Sequence, residues 1–171
     1  MKSTFFQSLS SAIMHKKIER GLKMECVVKT FYQLTLDELY EIYQLRIDVF
    51  VVEQQCPCRE IDELDRGAVH VFLRDEAGIQ AYIRVLKPGA KFETAGLGRI
   101  IAKKRAVGLG ARIVREGIRA AKEYFNADVL TLEAQVYAKG FYEKLGFVQT
   151  SEEFLDVGIP HVRMERHGQK P

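Results

Sequence analysis

Apolar residues recur along this chain in two rhythms. In short runs they crowd together: Cys26 to Phe31, Val69 to Leu73, Ile79 to Leu86, Leu97 to Ala102 and Val129 to Leu132. Such runs, rich in valine and isoleucine, predict buried strands. Elsewhere the apolar positions fall three and four apart. Leu39, Ile42, Tyr43, Arg46 and Phe50 lie on neighbouring turns of one predicted helix, and Ile113, Val114, Gly117, Ile118, Ala121 and Phe125 mark the buried face of another. The punctuation agrees. Thr35-Leu-Asp-Glu38 is a capping box at the first helix start, and Asp75-Glu-Ala-Gly78 has hairpin chemistry. Gly108-Leu-Gly110 opens the second helix, and Gly146 stops a third that covers Ala138 to Leu145. Phe147 and His161 to Met164 close the sheet. The predicted order is β-α-β-β-β-α-β-α-β-β, a mixed α/β fold with helices crossing a largely antiparallel sheet.

Composition and charge narrow this reading. A chain of 171 residues fits one domain. No apolar run approaches the roughly 20 residues that span a bilayer, so no membrane role is expected. The net charge of +3 is unevenly placed. Residues 1–24 carry Lys2, Lys16, Lys17, Arg20 and Lys23 against Glu19 alone, which leaves the rest slightly acidic. Nucleic-acid binding, which normally leaves a basic footprint on the fold, is not expected. Residues 1–24 read as a basic extension, 25–166 as the domain and 167–171 as a tail. The extension's composition admits a mitochondrial-type transit peptide, while Met24, directly before the first strand, favours an upstream start. Cys26, Cys56 and Cys58 are too few for a secreted disulfide framework and suggest a reducing, cytoplasmic setting.

The stretch from Gly98 to Gly110 carries the first chemical signal. A strand ends, Lys103, Lys104 and Arg105 follow, and glycines lead into a helix. Free N–H groups and the helix dipole make such an N-terminus an anion site, and the glycines let a diphosphate approach. Taken alone, the glycines serve equally well as simple helix-entry residues, and the basic run as a solvated face.

A second segment adds to it. Arg105-x-x-Gly108-x-Gly110, followed by Gln135-x-x-Ala138-x-x-Phe141-Tyr142 and Gly146-Phe147, resembles the two cofactor motifs of the GNAT N-acetyltransferases. Tyr43-x-Leu45-Arg46-x-x-Val49-Phe50, Glu53-Gln54-x-Cys56-Pro57, Glu60-x-Asp62-x-x-Asp65 and Gly158-Ile159-Pro160-His161 resemble the ElaA-like branch of that family. The resemblance runs from about Tyr40 to Met164. It departs in a slightly short stretch between Gly98 and Arg105, in Ala106 for a glycine, Cys58 for a tyrosine, Tyr137 for a histidine and Val157 for an acid.

The resemblance implies a GNAT fold, a mixed, mostly antiparallel sheet of six to seven strands flanked by about four helices. It implies acetyl-CoA as co-substrate and a small-molecule or peptide amine as acceptor, and it admits a homodimer. Cofactor contacts fall on Ile100, Ile101, Arg105, Ala106, Gly108, Leu109, Gly110, Gln135, Ala138 and Tyr142. Tyr142 takes the position that protonates the departing thiolate; the plainer account is a packed ring. An attacking ammonium of pKa ~10 is only about a thousandth deprotonated at pH 7, so a base is needed. Glu133 and His161 are catalytic candidates, with Glu53 and His70 behind them. Each has an ordinary alternative: Glu53 as an ion pair with Arg46, His70 as a satisfied strand histidine, His161 as a hairpin support. No metal is expected, since the Cys56-x-Cys58 spacing lacks a second ligand pair. The acids at 60, 62 and 65 are expected to line the acceptor site and attract a cationic amine. The competing account is a non-catalytic acyl-CoA-binding module on the same fold.

Overall fold

The computed structural model of the protein describes residues 24–168. The expectations for residues 1–23 lie outside them. The elements are β1 (Glu25–Thr30), α1 (Leu36–Ile47), β2 (Val69–Asp75), β3 (Gly78–Leu86), β4 (Ala95–Ala102) and α2 (Leu109–Phe125). Then come β5 (Val129–Gln135), α3 (Lys139–Glu143), β6 (Val148–Gln149), β7 (Phe154–Asp156) and β8 (Ile159–His167).

The strands form one sheet in the order β1-β2-β3-β4-β5-β8-β6, with β7 also on β8. Every ladder is antiparallel except β4 to β5. Eight strands stand where six to seven were expected, because the chain between Phe147 and Ile159 lays two short strands against β8. There are three α-helices among the described residues rather than about four. The helix through Phe50 changes hand-hold: α1 ends at Ile47 and a π-helix continues over Asp48–Glu53. The helix expected over Ala138 to Leu145 is a 3-10 turn, Val136–Ala138, followed by the short α3.

Local signals are honoured. Thr35 Oγ1 accepts the Glu38 N–H at 3.1 Å, and the Glu38 carboxylate accepts the Thr35 N–H at 2.8 Å. Gly78 turns the β2–β3 hairpin at φ +92°, and Gly146 ends the α3 segment at φ +87°. The period-2 alternation of β2 sorts its side chains between two cores. Val69, Val71 and Leu73 join Ala81, Ile83 and Val85 beneath α2, whereas Phe72 joins Tyr82 and Ile101 beneath α1. The α2 face that packs is Ile113, Val114, Gly117, Ala120 and Ala121. A Cβ on Gly117 would lie 2.7 Å from Ile83 Cδ1, so this glycine sets how closely α2 approaches the sheet. No helix among the described residues is long and apolar enough to cross a membrane.

A buried charge network lies under α1. Arg46 has a side chain 0% exposed. Its Nε donates to Glu60 Oε1 at 2.7 Å, its Nη1 to Asp65 Oδ1 at 2.7 Å and its Nη2 to the Glu60 carbonyl at 2.9 Å. Arg84 Nη1 donates to the same Asp65 Oδ1 at 2.7 Å and to Asp62 Oδ1 at 2.6 Å. Burial alone would raise the Asp65 carboxyl; the hydrogen bonds and charge of Arg46 and Arg84 outweigh it and hold it below its usual value. Next to the network, His70 is buried with both ring nitrogens engaged, Nδ1 to the Tyr82 hydroxyl at 2.8 Å and Nε2 to the Asp65 carbonyl at 3.0 Å.

Burial holds the His70 imidazole below its usual value, with Asp65 opposing in part. The folded state thus binds that proton only at a lower pH than the unfolded state does. Its stabilising contribution is complete above ~6.5, the unfolded value, and is lost as pH falls toward the folded one. Asp65 adds a second loss below ~3.9, by the same sign. Melting temperature across an acid pH series should therefore fall in two stages, and His70→Gln should flatten the upper one. An unchanged upper stage would sink the assignment.

Candidate active site

β4 and β5 run side by side only at their start, where Ala95 faces Leu130 and Gly96 faces Thr131. Beyond that they part, and a bulge in β4 explains the parting. Arg84 of β3 faces Gly98 while Tyr82 faces Ile101, so one β3 residue opposes two on β4. Arg99 takes up the extra residue at φ +52°. Such a bulge bends the strand and leaves its free edge without a ladder. Arg99 is held in this left-handed conformation by Glu60, 2.7 Å from its Nε, by Asp62 at 3.7 Å and by the Phe50 ring at 5.7 Å.

The wedge between the strands opens into a cavity of about 660 Å3. Ile100, Ile101, Arg105, Gly110, Gln135, Ala138 and Tyr142 line it, as do Glu133 and His161. Ala106, Gly108 and Leu109 stand at the mouth, in the turn that leads into α2, and are not on the wall. Gly108 caps α2 at φ +82°, and the N–H groups of its first turn precede the first helical bond, Arg112 N–H to the Gly108 carbonyl at 3.0 Å. Ala106 sits at φ +62°, a left-handed position that suits the glycine it replaces and costs an alanine about 1 kcal/mol.

The candidate catalytic groups differ in what they have free. Glu133 is clamped by Lys91 and by Arg163 at 3.6 Å. Glu53 pairs with Arg105 across the mouth, not with Arg46 as expected, because Arg46 is buried against Glu60 and Asp65. His161 donates Nδ1–H to the Ile159 carbonyl at 2.8 Å, which fixes its tautomer and leaves Nε2 with the lone pair. It stacks on Phe154 at 6.1 Å. Tyr142 packs edge-on against Phe141 and Phe147, and its hydroxyl has no hydrogen-bond partner among the described residues. Burial, with Tyr137 nearby, raises its pKa, so it remains a phenol and a donor.

The expected pull of the 60–65 acids on a cationic amine is corrected by these pairs. Glu60, Asp62 and Asp65 are matched by Arg46, Arg84 and Arg99 and leave no anionic excess. The sequence had not assigned Arg99, Arg84 or Phe50 to the site, and all three line the cavity. Three acids in one short segment were the available signal, since buried acids demand cations.

The profile described as the Acetyltransferase (GNAT) domain matches residues 40–167. A UPF0039 protein of Schizosaccharomyces pombe is 37% identical over 145 residues, which span 82% of this chain and 95% of that protein. Protein ElaA of Escherichia coli is 31% identical over 138 residues, spanning 78% of this chain and 90% of it. Its crystal structure superposes with a TM-score of 0.79 over 84% of this chain and 99% of that one, at 29% identity. An acyl-CoA N-acyltransferase from Pseudomonas aeruginosa gives a TM-score of 0.77 at 34% identity, over 84% and 99% of the two chains. With the splayed strands, the glycine turn and these relatives together, the chain belongs to the GNAT acetyltransferase family, among the ElaA-like proteins.

Proposed function

We propose that this protein transfers an acetyl group from acetyl-CoA to a primary amine by direct attack. The observation that carries this reading is the open wedge between β4 and β5, with a tyrosine hydroxyl and an imidazole nitrogen in one cavity, both without a hydrogen-bond partner among the described residues. The residues fit the co-substrate. The α2 first-turn N–H groups and Arg105 would hold its diphosphate. The free edge of β4 at Ile100 and Ile101 offers backbone N–H groups to the thioester arm and to the oxyanion that develops during attack. Gln135 and Ala138 line the opposite wall.

His161 Nε2 takes a proton from the ammonium, directly or through water. The amine nitrogen then bonds to the acetyl carbon; as the carbon–sulfur bond breaks, Tyr142 gives its proton to the leaving thiolate, and the second proton of the attacking nitrogen passes through water to the Tyr142 oxygen. Glu133 positions Lys91 and Arg163 rather than acting as base, since its carboxylate is already engaged from both sides. Three free thiols at Cys26, Cys56 and Cys58 fit a reducing, cytoplasmic setting.

The test starts with binding. A Cβ at Gly110 would sit 3.4 Å from the Phe141 ring, an ordinary contact, so Gly110→Asp should fold. Its carboxylate would stand beside the diphosphate, and acetyl-CoA affinity by calorimetry should drop by at least tenfold, about 1.4 kcal/mol. Unchanged affinity in the folded variant would remove the site. Thiol release from acetyl-CoA with a panel of amines then separates transfer from mere binding.

His161→Gln keeps a hydrogen-bonding side chain but loses the basic nitrogen. Its kcat/KM should fall, by less than the roughly 10²-fold typical of a base, because water can relay the proton. An unchanged kcat/KM would return His161 to hairpin support.

A further inference from the structure

The cavity wall carries two thiols that the proposed transfer does not use. Cys56 is buried, Cys58 is half-buried, and both line the cavity. The Cys56 N–H donates to the Val51 carbonyl at 3.1 Å, which anchors it to the end of the π-helix. The Cys58 N–H donates back to the Cys56 carbonyl at 2.8 Å. This closes a three-residue turn with Pro57 at its centre, where the proline ring fixes a φ of about −65°, close to what such a turn needs. The turn shortens the span between the two cysteines toward the roughly 5.5–6 Å Cα separation of disulfides.

We infer that Cys56 and Cys58 are a redox modification site: a reversible intramolecular disulfide that reshapes the acceptor wall. The oxidant is a low-molecular-weight disulfide such as oxidised glutathione. Cys58, the more accessible, attacks it as thiolate and releases one small thiol. Cys56 then attacks the Cys58 sulfur and releases the second. Each cysteine gives up one proton, the pair loses two electrons, and the small disulfide gains them. A three-residue loop adds little chain-entropy stabilisation, so the bond is readily reduced again. Burial, with Cys56 and Glu60 beside it, raises the Cys58 thiol above its ordinary value, and Arg99 opposes this. The first attack, by Cys58, therefore accelerates as pH rises.

The experiment treats the folded, full-length protein with excess oxidised glutathione, alkylates the remaining thiols and maps the peptides. The expected product links Cys56 to Cys58, leaves Cys26 alkylated and reverts with dithiothreitol. Cys56→Ser should retain one glutathione on Cys58, trapped at the first step; Cys58→Ser should leave Cys56 unlinked. Wild type that keeps glutathione on Cys58 without closing, or that keeps both thiols alkylatable, would overturn the site. A second readout, resting on the proposed transfer, compares amine turnover of the oxidised and reduced protein. KM for the amine should rise on oxidation while acetyl-CoA affinity holds. Equal amine kinetics would overturn the effect on the acceptor wall. A reduced protein that turns over no amine counts against the proposed transfer, and peptide mapping still decides the disulfide.

Discussion

Arg46→Met should destabilise the fold by about 3–5 kcal/mol, the cost of removing one partner from a buried ion network. Methionine nearly matches the arginine stem and lacks only the guanidinium head, so the loss is mainly one of charge and hydrogen bonding. Three donor groups disappear at once, those to Glu60 Oε1, Asp65 Oδ1 and the Glu60 carbonyl. Asp65 Oδ2 already has no partner, and the carboxylate would be left with Arg84 alone. Glu60 would keep Arg99, whose Nε lies close but is not aligned for a hydrogen bond. These remaining partners argue for the lower half of the range. Arg66→Met, which breaks an exposed pair with Glu63, gives the contrast: surface pairs contribute about 0–1 kcal/mol. Urea unfolding of both variants measures the difference. A loss for Arg46→Met as small as that for Arg66→Met would show that the network contributes no more than a surface pair.

Tyr142→Phe should lower kcat and kcat/KM together by about 10²-fold, at the bottom of the usual range for a general acid. The substitution removes one oxygen and keeps the ring, so the edge-on contacts with Phe141 and Phe147 persist. The hydroxyl has no partner to abandon, so stability and acetyl-CoA affinity should hold. A water entering the vacated position would supply part of the proton transfer, hence the modest factor. The comparison requires an amine for which chemistry limits turnover, because slow release of product would mask it. Single-turnover rates equal to wild type would make Tyr142 a packing residue and send the proton elsewhere.

What the sequence made legible was local. A capping box needs only Thr35 and Glu38, and a hairpin only Asp75 to Gly78. The apolar stripe of α2 declares its own buried face, and Gly146 its own stop. The illegible features are long-range. Leu97 to Ala102 reads as an unbroken strand, because nothing in Gly98-Arg99-Ile100 announces a left-handed arginine. That conformation is imposed by Glu60 and Asp62, far back in the chain. Arg46 reads as a partner for nearby Glu53, whereas acids 14 and 19 residues later fold over it. The π-helix hides in Val49-Phe-Val-Val52, whose apolar run suits either helical period. Of the candidate site, the sequence named Arg105, Gly110 and Tyr142, which the structure brings to one cavity. It could not rank the bases, since the ranking depends on which neighbours occupy Glu53, Glu133 and His70 in space.

Mechanically, the short β4–β5 seam makes this sheet two leaves on a hinge. One leaf is β1 to β4 and the other β5 to β8, and the core beneath α2 runs across both. Only two residue pairs of main chain stitch them. A ligand seated in the wedge would supply the missing rungs on both sides at once and act as a removable strand. Its binding energy would then appear largely as resistance of the two leaves to separating, and the full cooperativity of the domain would depend on what it is carrying.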